Sequence, residues 1–315
     1  METRPIGSLT VSAIGLGTNN FGLLMDEHDV APVVNAALEA GITFFDTSDS
    51  YGESERRLRR ALGNRRDDVV LATKFGTPLG GGWSGGARPE YIRRAVERSL
   101  RELGTDRIDL YQLHAPDPAT PIADTLQTLA ELVEAGKVRE IGCSKFSAQQ
   151  LLDAERAAQG GAIRFVSVQN HYNLIHRNDE AEILPLCVKL GIAYIPYWPL
   201  ASGLLTGKYR RGEPVPDGTR FSAWRSQGEQ LLVEANFDVA ERLEAWSQQR
   251  GHSLSELALA WLLAKPVASV IAGATRPAQV LANASVNWRL TSGEMAEVEE
   301  LIPEPFDQER ASDDI

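Results

Sequence analysis

The chain is poor in the residues that build cross-links and soft metal sites. Two cysteines, five histidines and three methionines serve 315 residues. Cys143 and Cys187 lack the spacing of a zinc motif. A disulfide scaffold is cysteine-dense, so each is read as a small buried apolar residue in a reducing compartment. Long apolar runs are missing too. A membrane span takes about 20 residues, and the best stretch, 192–205, is shorter and broken by Pro196 and Pro199. The first residues, Met1-Glu2-Thr3-Arg4-Pro5, hold no apolar signal core. A cytoplasmic protein without a membrane partner is expected. Positive charge is in deficit: 32 Lys and Arg face 43 Asp and Glu, a net of −11. Such a surface repels phosphate backbones, so no nucleic-acid partner is expected. No GxGxxG follows the first strand signal, which argues against a Rossmann site. No Pro/Ser-rich linker or shift of composition cuts the chain, and residues 1–315 read as one domain.

What the chain does have is a rhythm. Residues 3–6 and 10–11 flank Gly7-Ser8, a favoured hairpin turn. Short apolar runs at 13–17, 42–45, 69–72, 108–112, 138–142, 165–168, 192–197 and 268–271 then alternate with helical patterns. The helices are expected at 30–39, 53–62, 89–103, 122–135, 148–158, 179–190, 237–250, 254–263 and from 277 to 284, many stopped by glycine. Strict alternation implies a parallel sheet under helices. Eight repeats imply a closed (β/α)8 barrel, a TIM barrel, with an N-terminal β-hairpin. One irregular stretch, 201–234, is too long for an ordinary loop and is expected to shape the active site, with extended loops at the strand C-termini.

In such a barrel the chemistry sits at the C-terminal strand ends. Asp46, Tyr51, Lys74 and His114 fall there, on three neighbouring strands. A tyrosine is a poor acid near pH 7, and an adjacent cation lowers its pKa. Lys74 is the expected cation, Asp46 its holder and His114 the donor that orients a carbonyl. Tyr51 is then a general acid aimed at the carbonyl oxygen. The carbon must still receive a hydride, which no side chain carries, so a redox cofactor is required. His114, His171, His176 and Asp46 are also of metal-ligand type, but no metal is expected.

Eight segments stand out in order along the chain. The first four are Ile14-Gly15-Leu16-Gly17-Thr18, Asp46-Thr47-Ser48-Asp49-Ser50-Tyr51-Gly52, Thr73-Lys74-Phe75 and Asp109-Leu110-Tyr111-Gln112-Leu113-His114. Ile141-Gly142-Cys143-Ser144, Val168-Gln169-Asn170-His171-Tyr172-Asn173, the run 199–209 and Ile271-Ala272-Gly273-Ala274-Thr275-Arg276-Pro277 follow. In content and in order these segments resemble the aldo-keto reductase superfamily. The resemblance implies NADPH-dependent reduction of an aldehyde or ketone, with Asp46, Tyr51, Lys74 and His114 catalytic. It also implies an NADPH/NADP+ site. Ser144 and Gln169 would hold the carboxamide, with Lys145 beside them where the family commonly has Asn. Tyr197 would stack on the nicotinamide, next to Trp198. Pro199, Leu200, Ser202, Gly203, Leu204 and Lys208 would wrap the pyrophosphate, with Gly17, Thr18 and Gly273 nearby. Thr275, Arg276, Gln279 and Asn283 would meet the adenosine end. Asn20, Phe21, Trp83, Tyr172, Trp198, Phe221 and Trp224 are the expected pocket for a small carbonyl substrate. Some relatives of the family act instead as cofactor-sensing subunits.

Overall fold

The structure is a computed structural model and describes residues 1–82, 84–159 and 163–302. The hairpin forms from β1 (Thr3–Ile6) and β2 (Leu9–Ser12), antiparallel about Gly7 and Ser8. Gly7 takes φ +56°, and the Ser8 N–H donates to Glu140 Oε1 at 2.7 Å. The turn therefore sits against the barrel wall.

Eight parallel strands follow: β3 (Ile14–Gly17), β4 (Phe44–Asp46), β5 (Val70–Phe75), β6 (Ile108–Leu113), β7 (Val138–Ser144), β8 (Ser167–His171), β9 (Ala193–Tyr197) and β10 (Val270–Gly273). Their order is β10-β3-β4-β5-β6-β7-β8-β9. The two end strands approach each other, the Ala268 N–H donating to Tyr194 O at 2.7 Å just before β10, so the barrel is nearly closed. The expected barrel and hairpin are both present. Most strands run further toward their C-termini than apolar patterning shows. Asp46, Lys74, Ser144 and Gln169 lie within strands, because polar residues that face the cavity still pair through their backbones.

Helices cover the outside. Pro89–Leu103 shows why. Proline opens it, and Tyr91, Ile92, Ala95, Val96, Ser99, Leu100 and Leu103 form its buried face at helical spacing. Gly104 ends it at φ +60°. Ala148–Ala157 starts with a capping box of Ser147 and Gln150, a device worth about 1 kcal/mol. A helix at Ser292–Leu301, outside the expected set, starts with the same device from Thr291 and Glu294. The expected helix at 179–190 divides into a 3-10 turn, Asn178–Glu180, and a helix, Ile183–Leu190. The stretch 201–234 contains a 3-10 segment (Ala201–Thr206) and short helices at Arg220–Ala223 and Arg225–Leu231. Among the described residues no helix is long and apolar enough to cross a membrane.

Two cores result. The larger lies between barrel and helices. The smaller fills the barrel, where Ile6, Leu9 and Val11 of the hairpin pack against Phe44, Ala72, Leu110, Ile195 and Ile271.

Candidate active site

Side chains alternate faces along a strand. Two residues beyond the apolar plug, the inward positions become Asp46, Lys74, Gln112, Tyr197 and Gly273. On four of these five strands that two-residue advance replaces an apolar side chain with a polar one and makes a polar floor. Above it opens a cavity of about 1020 Å³.

Lys74 is buried in that floor, and its three ammonium protons all have acceptors. Nζ donates to Asp46 Oδ1 at 2.5 Å and to Thr47 O at 3.0 Å, and reaches the Tyr51 hydroxyl at 3.5 Å. The other Asp46 oxygen accepts from Gln112 Nε2 at 3.1 Å and Gln169 Nε2 at 2.9 Å. Burial alone would lower the pKa of Lys74, but Asp46 and Tyr51 outweigh it and hold the ammonium above its ordinary value. The Tyr51 phenol is also raised, because burial pushes it up more than Lys74 pulls it down. The expectation that Lys74 brings Tyr51 below its ordinary value is therefore corrected: desolvation wins, and Tyr51 stays a neutral proton donor.

Tyr51 sits in the loop after β4. A helix at Asn19–Leu23 packs on that loop so closely that a Cβ on Gly22 would overlap the Tyr51 carbonyl. His114 follows β6, its ring edge-on to Tyr51 with centroids 5.8 Å apart. Its Nδ1 lies 3.1 Å from Thr77 Oγ1, 3.2 Å from Ser48 Oγ and 3.5 Å from Ser50 Oγ. Burial first, then Lys74 and Lys145, hold His114 well below the ordinary histidine range, so the ring is neutral. Asp46, Tyr51 and His114 line the cavity with Lys74 beneath them, so the structure brings all four together.

Gly17, Thr18, Ser144, Lys145, Gln169, Tyr197, Trp198, Pro199, Leu200, Ser202, Gly203, Lys208, Gly273, Thr275, Arg276, Gln279 and Asn283 line the same cavity. Leu204 does not: its side chain is buried in the outer core. Ser144 donates to Gln169 O at 2.7 Å, and Gln169 spends its amide on Asp46. Gln279 Oε1 accepts from Thr275 N–H at 2.8 Å and shapes the loop before Pro277–Ala284. Lys145, Trp198, Ala201 and Ser202 all have positive φ, between 47° and 60°. Such strain persists where a site is over-determined by its surroundings.

The substrate-pocket expectations divide. Asn20, Trp198 and Trp224 line the cavity. Trp83 lies outside the described residues. Phe21 does not line it, because it follows Asn20 on a helix and turns into the core. Tyr172 does not either. His171 faces the cavity, so the next residue faces outward, and the Tyr172 hydroxyl donates to Glu180. Phe221 is buried against Tyr209, ring centroids 4.9 Å apart. The metal-type set does not converge: among the described residues the one close cluster of ligand atoms is Asp26, His28 and Asp29, which is exposed. His171 and His176 instead stack, centroids 3.8 Å apart, beside Tyr197.

Arg220 was not singled out by the sequence. It reaches across the cavity and donates to Asn19 Oδ1 and Asn20 Oδ1, both at 2.9 Å, with Trp224 under its guanidinium. Burial lowers it to about 10. Lys208 falls to about 8, through burial and then repulsion from Arg220 and Arg276. These three cations lie together on a groove that also holds the buried Ser202 hydroxyl, which has no hydrogen-bond partner. Cations that repel and an unmet hydroxyl suit an anion such as a phosphate. The residues present therefore fit a phosphate-bearing dinucleotide.

An eight-stranded α/β barrel with a lysine-backed tyrosine at the strand C-termini defines a barrel of oxidoreductase type. The chain belongs to the aldo/keto reductase family, whose model matches residues 13–303. It is 31% identical over 321 residues to the L-glyceraldehyde 3-phosphate reductase of Escherichia coli (strain K12), covering 96% of this chain and 92% of that one. The aldo-keto reductase YhdN of Bacillus subtilis (strain 168) is 34% identical, with 93% and 91% covered. A probable voltage-gated potassium channel subunit beta of Oryza sativa subsp. japonica is 33% identical, with 90% of each covered.

Proposed function

We propose that this protein reduces an aldehyde or ketone to an alcohol with NADPH. The observation that carries the reading is the Asp46–Lys74–Tyr51 chain, ending in a neutral phenol at the cavity beside neutral His114. Bound NADPH would supply the hydride to the carbonyl carbon. Lys208, Arg220 and Arg276 would hold its phosphates, and Ser144, Lys145 and Tyr197 would border its nicotinamide. His114 Nε2–H orients the carbonyl oxygen, and Tyr51 donates its proton there. Lys74, charged and fixed by Asp46, stabilises the phenolate that forms. The reverse reaction uses the same groups. The substrate is a small molecule, and no nucleic-acid or membrane partner is required.

The test is loss of NADPH absorbance over a panel of aldehydes. Glyceraldehyde 3-phosphate belongs in it because of the Escherichia coli relative's name. Tyr51→Phe should keep NADPH binding and lose about 10²- to 10⁴-fold in kcat, the usual worth of a general acid. Wild-type turnover that survives the substitution would refute the role of Tyr51. The rice relative's name favours a second reading, a cofactor-binding subunit. Tight NADPH binding with no turnover in either protein would support it.

A further inference from the structure

We propose that Ser48 and Asp49 decide which nitrogen of His114 carries its proton, making Asp49 a positioning residue for the hydrogen bond that orients the carbonyl. The proposal rests on the reading that His114 performs that orientation. A neutral imidazole has one N–H, and the partner of one nitrogen sets the state of the other. To donate from Nε2, His114 must accept at Nδ1.

Nδ1 is surrounded by the hydroxyls of Thr77, Ser48 and Ser50, each able to donate or accept. Ser48 differs from the other two because a carboxyl competes for its proton. Its Oγ lies 3.4 Å from Asp49 Oδ1 and 2.9 Å from Ser50 Oγ, and it accepts the Ser50 N–H at 3.2 Å. An ionised Asp49 can only accept. It draws the Ser48 proton toward itself, and Ser48 then offers a lone pair to His114. The favoured tautomer is Nδ1–H, with Nε2 bare. A protonated Asp49 donates to Ser48 Oγ, Ser48 donates to Nδ1, and Nε2 keeps its proton. Passing from the second state to the first releases one proton to solvent and moves the imidazole proton from Nε2 to Nδ1. No redox change is involved.

Asp49 is built to hold a proton near neutrality. It is buried, and its Oδ2 has no hydrogen-bond partner. A bare carboxylate oxygen in such a place is costly, and protonation relieves the cost. The groups facing it are Glu55 from Ser54–Leu62, Lys74 from β5, Tyr91 and Arg98 from Pro89–Leu103, and Tyr111 from β6. Arg98 also donates to the Asp49 backbone carbonyl at 3.2 Å. Burial and then Glu55 raise Asp49 to about 7, against the pull of Arg98, Ser48 and Lys74. Glu55 is itself buried and raised, and accepts from Thr73 Oγ1 at 2.7 Å. His114 is held neutral throughout by its burial first and then by Lys74 and Lys145, the cations that face it.

The experiment joins two readouts on the full chain. Nitrogen NMR of ¹⁵N-histidine protein reports the His114 tautomer from pH 5.5 to 9. Steady-state turnover at saturating NADPH gives kcat across the same range, and saturation removes any effect of Lys208, held at about 8. Wild type should pass from Nε2–H to Nδ1–H as pH rises through about 7. Over that interval kcat should fall about three- to tenfold, the worth of one oriented hydrogen bond. Asp49→Asn, neutral at every pH, should abolish both transitions. Ser48→Ala should also abolish them by cutting the link, and it decides the matter if Asp49→Asn does not fold. A constant wild-type tautomer, or transitions that persist in both variants, overturns the proposal. If no aldehyde is turned over, the reductase reading has failed, and the NMR titration alone still decides whether Asp49 controls His114.

Discussion

The two layers of the barrel interior use the same strands and the same alternation, yet they do opposite work. The lower layer is Phe44, Ala72, Leu110, Ile195 and Ile271, sealed by the hairpin. The upper layer, two residues on, includes Asp46, Lys74, Gln112 and Tyr197. In the lower layer, burial removes apolar area from water and stabilises directly, by roughly 1.5–3 kcal/mol for a large side chain. In the upper layer, burial is a cost that ion pairing and hydrogen bonds must offset. Lys74 and Asp46 meet that cost only as a unit with Thr47 O, Gln112 and Gln169. The comparison teaches that chemistry begins where the barrel stops stabilising itself for free.

Single changes in the two layers should therefore fail differently. Lys74→Met should have the largest effect. It leaves Asp46 buried without a counter-charge, costing about 3–5 kcal/mol, and it removes the cation behind Tyr51, so kcat should drop at least about 10²-fold. Denaturant unfolding and single-turnover kinetics would show both losses together. Leu110→Ala comes next. It should cost about 2–5 kcal/mol by leaving a cavity, while kcat measured well below the melting temperature changes little. A kcat loss as large as that of Lys74→Met would erase the distinction between the layers. Arg220→Gln should have the smallest effect. It removes one cation from the groove and its bonds to Asn19 and Asn20, so NADPH should leave faster, weakening binding about tenfold with little change in stability. Stopped-flow NADPH fluorescence would measure the release rate.

How much of this was legible depended on whether a residue's face could be read from its neighbours. Asp46, Lys74 and His114 followed from the rule that strand ends face the site. Gln112 obeys the same alternation, two residues before His114, but its part is to hold Asp46 from beneath, and a sequence pattern does not show that contact. The aromatic character of Phe21, Tyr172 and Phe221 suggests a pocket, but each sits one residue from a cavity-lining neighbour and faces the other way. Arg220 lay in a stretch without periodicity, so nothing in its neighbours showed that it would cross to Asn20. The state of Tyr51 was not legible at all. It depends on how desolvation balances against Lys74, and pattern carries no information about that balance.

The hairpin that seals the lower layer also fixes an order of events in time. Its Arg4 donates to Leu263 O at 2.9 Å and to Val267 O at 2.6 Å, and Glu2 pairs with Arg289 at 2.9 Å. Residues of the hairpin are thus anchored to residues made some 259 to 287 positions later. Until residues 263–289 are made, Arg4 and Glu2 lack these partners, and the apolar trio Ile6, Leu9 and Val11 faces a barrel whose last strand, Val270–Gly273, is missing. Synthesis at about 5–20 residues per second makes that wait tens of seconds, so the nascent chain must keep its own stopper in solution until the vessel it closes exists.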